Sequence, residues 1–129
     1  GSRPQRVAMT GGYAAAGRTG AEADEIVKAA HECIGAGALM LLLEAVPDAV
    51  SERVMVAARD AGVPVIGIGA GSACDGQVLV LNDLLGLSDK APSFAKPVAS
   101  FGQAIMTAGE AWINTVAARG VGPSPYSSK

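Results

Sequence analysis

Apolar and polar positions along the chain fall into a recurring order: a helical stripe, a glycine stop, then a short unbroken apolar run. Thr19-Gly20-Ala21-Glu22 has the form of a capping box, a hydroxyl at the cap and a glutamate three residues on. Ile26, Val27, Ala30, Cys33 and Ile34 follow at the spacing of one helical face, and Gly35 and Gly37 supply the stop. Ala38 to Leu43 is apolar without alternation, which predicts a strand buried on both faces, the habit of parallel sheets. The unit then repeats. A second helix is predicted over Ala49 to Ala61 on the stripe Val50, Val54, Ala57, Ala58 and Ala61, closed by Gly62. Val63 to Ile68 is the next buried strand, and a turn from Gly69 to Gly76 leads to a third, Gln77 to Leu81. The residues before Thr19, rich in Gly and Ala, read mostly as loop, and Ser88 to Pro97 is a loop punctuated by Pro and Lys. A long helix is predicted over Val98 to Arg119, with Phe101, Ile105, Ala108, Trp112 and Val116 forming a core or interface face. Pro123 and Pro125 lie in a polar tail, 119–129, that reads as flexible and separate from the folded 1–118.

Strands alternating with helices predict a parallel α/β architecture, open or barrel. Three such strands leave sheet edges and apolar helix surface uncovered, and a closed eight-stranded α/β barrel needs about 250 residues. At 129 residues the chain reads as part of something larger. Half its residues are apolar and only 4% aromatic, with 17 glycines, so small-residue packing is expected rather than large aromatic anchors. A net charge of −2 with no basic run leaves no electrostatic footprint for nucleic acid. No apolar run reaches the ~18 residues of a membrane span, and the opening residues carry no signal-peptide pattern. Two cysteines in unlike contexts, Cys33 and Cys74, and a single His make neither a disulfide scaffold nor a zinc site. Both read as reduced thiols in a reducing, cytoplasmic compartment.

Glu44 stands directly after the apolar run, at the expected C-terminal end of its strand, where parallel α/β folds place their reactive groups. Flanked by Leu43, Ala45 and Val46, it would be partly desolvated, and partial desolvation makes a carboxylate a better general base. The structural alternative is a strand-end Glu that points to solvent or pairs with Arg or Lys. Gly67-Ile68-Gly69-Ala70-Gly71 invites a nucleotide-binding reading, but its spacing is GxGxG, a turn follows instead of a helix, and there is no Walker lysine. Its glycines instead let the backbone turn sharply or line a pocket at a strand end. Asp75-Gly76 reads as a turn. Asp83 either faces a pocket or caps the Leu84-Leu85 turn. His31, one position off the first helical stripe, reads as surface, and Tyr13 after Gly11-Gly12 is equally a loop residue or a substrate contact.

These segments together resemble the ketopantoate (3-methyl-2-oxobutanoate) hydroxymethyltransferases. The resemblance runs from Arg3-Pro4-Gln5, Gly11-Gly12-Tyr13 and Gly17-Arg18-Thr19 to Leu43-Glu44-Ala45-Val46-Pro47. It continues through Ile66-Gly67-Ile68-Gly69-Ala70-Gly71, Cys74-Asp75-Gly76-Gln77-Val78-Leu79-Val80 and Asp83-Leu84-Leu85-Gly86-Leu87 to Pro92-Ser93-Phe94-Ala95-Lys96. Order and spacing agree over about residues 3–110; Ala45 stands where a Cys is common, Asn82 where a His is, and Ser2 where an apolar residue is usual.

The resemblance implies the C-terminal part, about three βα units plus trailing helices, of a (β/α)8 TIM barrel of the phosphoenolpyruvate mutase/isocitrate lyase type. It implies transfer of a one-carbon unit from 5,10-methylenetetrahydrofolate to 3-methyl-2-oxobutanoate, giving 2-dehydropantoate for pantothenate and coenzyme A synthesis. Glu44 falls on the family's proposed base. A Mg2+ ion that binds the keto acid is implied too, its ligands belonging to the N-terminal half of the barrel and none to this chain. That half would be the chain's partner, in a homo-oligomer, and the chain alone would be inactive. Two other readings remain open, a non-catalytic assembly fragment and an enolate-forming enzyme acting on another 2-keto acid.

Overall fold

The computed structural model describes residues 15–88 and 90–126. The chain divides into two compact units, Gly1–Leu79 and Val80–Lys129.

In the first unit, helix α1 (Gly20–Gly35) begins at the predicted capping box. The Glu22 N–H donates to Thr19 Oγ1 at 3.3 Å, while Glu22 Oε2 accepts from the N–H groups of Arg18 (3.0 Å) and Thr19 (3.4 Å). Caps of this kind stabilise a helix by about 1 kcal/mol because they satisfy donors that have no partner within the helix. At the other end Gly37 takes φ +91°, its N–H reaching Ile34 O while the Ala38 N–H reaches Cys33 O. This is the Schellman stop, and it redirects the chain into strand β1 (Leu41–Glu44). Helix α2 (Asp48–Asp60) closes in the same way, with Gly62 at φ +68° bonding Arg59 O and the Val63 N–H bonding Ala58 O, ahead of strand β2 (Val65–Ile68). A third strand, β3 (Gly76–Gln77), completes a parallel sheet in the order β1-β2-β3.

One core serves this unit. Ala23 and Ala30 of α1, Val50, Val54, Met55 and Ala58 of α2, and Leu43 and Val65 of the strands are all buried together. The alanines keep the two helices close, as the small-residue composition predicts. An Arg53–Asp24 ion pair of 2.7 Å also joins them, though both side chains are exposed and such a pair adds little. Cys33, expected on the stripe, falls at its edge on the last turn and is exposed, as is His31.

Two strand expectations are corrected. The first strand is not buried on both faces: Leu43 is 6% exposed but Leu42 is 59% exposed, so only the helix-facing side is covered. The third does not run from Gln77 to Leu81. After β3 only the Val78 N–H continues the ladder, to Gly67 O.

In the second unit, Val80 opens a short helix, α3 (Leu81–Leu84), because Asn82 and Asp83 favour a turn over a strand. A Schellman stop at Gly86 (φ +64°) closes it. Helix α4 (Phe101–Ala117) starts against this turn: the N–H groups of Phe101 and Gly102 donate to the carbonyls of Leu85 and Gly86, each at 3.0 Å. A Cβ on Gly102 would stand 2.7 Å from Gly86 O, so glycine is required there. The predicted face of α4 is not core. No residue of the helix is buried, and Phe101 (50%), Ile105 (63%) and Trp112 (59%) all stand exposed.

Candidate functional site

Side chains alternate between the faces of a strand. With Leu43 turned into the core, Leu42 and Glu44 share the opposite face of β1. Parallel register pairs Leu42 with Ile66 and Glu44 with Ile68, which places both isoleucines on that same face of β2. The side of the sheet away from α1 and α2 is therefore aliphatic and ends, at the C-terminal rim, in one carboxylate. Glu44 is half-buried there. The ion-pair alternative is not what is found among the described residues: the two ion pairs, Lys28–Glu32 and Arg53–Asp24, both lie on the helices.

The backbone at the rim is tightly fixed. Ala45, directly after the carboxylate, adopts φ +52°. Its N–H donates to Ile68 O at 2.9 Å and its carbonyl accepts from the Ala16 N–H at 3.0 Å. A residue with a Cβ pays about 1–2 kcal/mol for this left-handed conformation.

The loop after β2 lies beside this rim, and its glycines answer to packing and turning. A Cβ on Gly67 would lie 3.0 Å from Cys74 Sγ and 3.1 Å from Gln77 Oε1, and one on Gly71 (φ +72°) would occupy the place of the Asp48 carboxylate. A turn follows Gly71, not a helix, so the phosphate-cradling geometry of a nucleotide site is not formed. Two side chains hold the loop down: Ser51 Oγ donates to Ala70 O at 2.6 Å in a fully buried bond, and Gln77 Nε2 donates to Gly71 O at 2.8 Å. Neither bond follows from the sequence pattern, in which Gln77 stands only as the start of a strand and part of a motif. The available signal was a polar residue on an otherwise apolar stripe, Ser51 between Val50 and Val54.

Asp75 is structural, as its turn pattern predicts, its Oδ2 accepting the Val65 N–H at 2.9 Å where β2 begins. Burial, and then the neighbouring Asp75 charge, push the Cys74 thiol up, which makes it a poor nucleophile at neutral pH. Asp83 does not cap a helix: the cap of α3 is Val80, and Asp83 lies within that helix's first turn, in the second unit. Tyr13, with Gly11 and Gly12, lies outside the described residues. Among the described residues no three His, Cys, Asp or Glu side chains converge to hold a metal ion, and no helix is long and apolar enough to cross a membrane.

A parallel sheet with helices packed on one face makes the chain an α/β protein. More particularly, it belongs to the ketopantoate hydroxymethyltransferase family, whose sequence pattern matches residues 1–122, further than the motifs legible by eye. A 3-methyl-2-oxobutanoate hydroxymethyltransferase of Halorhodospira halophila is 40% identical over 125 residues, covering 97% of this chain and 44% of that protein. The enzymes of that name from Paracoccus denitrificans (45% over 120 residues; 92% and 42%) and Stutzerimonas stutzeri (49% over 98 residues; 74% and 36%) are similar. The chain thus spans less than half the length of these curated relatives.

Proposed function

We propose that this chain supplies the C-terminal half of a (β/α)8 barrel that transfers a hydroxymethyl group to 3-methyl-2-oxobutanoate, with Glu44 as the base. The carrying observation is the half-buried carboxylate that ends the aliphatic face of β1 and β2. Facing inward in a closed barrel, that face would line the floor of a pocket into which Glu44 projects. The carboxylate takes the proton from C3 of the keto acid, and the electron pair left behind forms the C2=C3 bond of an enolate. C3 then bonds to the methylene carbon of 5,10-methylenetetrahydrofolate as that carbon's bonds to the two folate nitrogens break. Water supplies the hydroxyl oxygen and tetrahydrofolate leaves, so that the product is 2-dehydropantoate for the pantothenate pathway.

The Mg2+ that the family resemblance implies has no ligand set among the described residues, and its ligands are assigned to the remainder of the barrel. The exposed apolar face of α4 supports an assembly of subunits, and the free cysteines fit a cytoplasmic enzyme. The test is Glu44→Gln in the complete enzyme, followed by exchange of the C3 proton in deuterated water. A general base typically contributes about 10²–10⁴-fold, and a loss on that scale is expected with folding intact. Exchange at close to the wild-type rate would show that another group is the base.

A further inference from the structure

Among the described residues the left-handed backbone region belongs almost wholly to glycine; the exceptions are Ala45 (φ +52°) and Arg119 (φ +55°). Arg119 has a local reason, since it closes helix α4. Ala45 closes no helix. It stands between Glu44 and the buried Val46, and both of its flanking peptide planes are pinned. The plane shared with Glu44 is held by the bond from the Ala45 N–H to Ile68 O, 2.9 Å, and the next plane by the bond from the Ala16 N–H to Ala45 O, 3.0 Å. Two hydrogen bonds from different segments therefore fix φ and ψ of this one residue against its own preference.

A glycine would make the same turn at lower cost, as it does at Gly69 (φ +60°) after the neighbouring strand. What glycine would not do is confine it. The left-handed basin of a residue with a Cβ is narrow, whereas glycine spreads over the surrounding conformations. A strained residue beside a reacting group, over-determined by its surroundings, is a mark of pre-organisation.

We infer that Ala45 is a positioning residue: its pinned left-handed conformation sets the direction in which Glu44 leaves the end of β1. The inference rests on Glu44 being the base. As a positioning residue Ala45 acts through Glu44.

The test compares Ala45→Gly and Ala45→Asn with the wild type in the complete enzyme. Steady-state kcat and KM for C3 proton exchange of 3-methyl-2-oxobutanoate are measured beside the thermal midpoint. Ala45→Gly should lower kcat by about tenfold, the scale on which small misplacements of a reacting group act. KM should stay within about twofold, because only the orientation of the base has changed. Its midpoint should hold or rise, since the strain is relieved. Ala45→Asn keeps a Cβ and tolerates the left-handed region, and should recover most of the lost rate. A turn that is merely structural would make kcat follow the midpoint. Ala45→Gly with wild-type kcat, or with kcat and midpoint falling together, overturns the inference. Glu44→Gln, run alongside, separates the two claims: if it exchanges normally, the base assignment fails first, and the positioning role falls with it.

Discussion

Arg119 occupies the left-handed position that closes α4, a place that α1, α2 and α3 give to Gly37, Gly62 and Gly86. The glycine that would suit it, Gly120, comes one residue late and only completes the motif by donating to Thr115 O. Arg119→Gly should therefore stabilise the second unit by about 1 kcal/mol, seen as a higher midpoint in denaturation followed by Trp112 fluorescence. An unchanged or lower midpoint would mean that the arginine side chain compensates for its backbone. Ser51 predicts the opposite sign. Removing its hydroxyl leaves the buried Ala70 carbonyl without its partner, so Ser51→Ala should cost about 1–3 kcal/mol in urea denaturation. The strand-end position of Glu44 was legible in the sequence because a carboxylate ending an apolar run is a local pattern. Ser51 and Gln77 could not be assigned, because their partners lie on a loop that only the fold brings to them.

Helix α1 begins and ends where its capping box and glycine stop put it, since these signals act through backbone groups within a few residues of one another. The strands were legible in position but not in extent. An apolar run such as Ala38 to Leu43 cannot tell which of its residues a partner strand will pair, and pairing begins only at Leu41, opposite Val65. Beyond β3, local turn preferences at Asn82 and Asp83 prevailed over the apolar run Val78 to Leu81. Helix α4 was legible as a helix, and its burial was not, because periodicity shows that a face is apolar without showing what covers it. With Trp112 59% exposed, Trp112→Ala in this chain should change stability by less than about 0.5 kcal/mol. In a complete assembly that covers the face, the same substitution should cost about 3–5 kcal/mol. Denaturation of the two forms side by side checks this, and equal small effects in both would mean that the face stays in solvent.

Among the described residues of the first unit, no helix lies over the aliphatic face bearing Leu42, Ile66 and Ile68, and no strand pairs with the outer edge of β1 along Leu41–Glu44. An exposed edge beside exposed aliphatic surface recruits further strands, either the rest of a barrel or another copy of the same chain. The chain covers 44% of its Halorhodospira halophila relative, and a strand set of this size cannot close an eight-stranded barrel. A hard divalent cation needs several oxygen ligands converging at about 2.0–2.1 Å, and among the described residues no such group forms. These 129 residues alone are therefore expected to bind Mg2+ no more tightly than scattered surface carboxylates do, to turn over no keto acid, and to self-associate. Mixing with the upstream half of the barrel should restore metal binding and transfer together, because the two parts would close one pocket. Titration calorimetry with Mg2+ and 3-methyl-2-oxobutanoate, first on the chain alone and then on the mixture, decides the matter. Micromolar metal binding or turnover by the chain alone would mean that its residues complete a site without the other strands, and the half-barrel assignment would have to be abandoned.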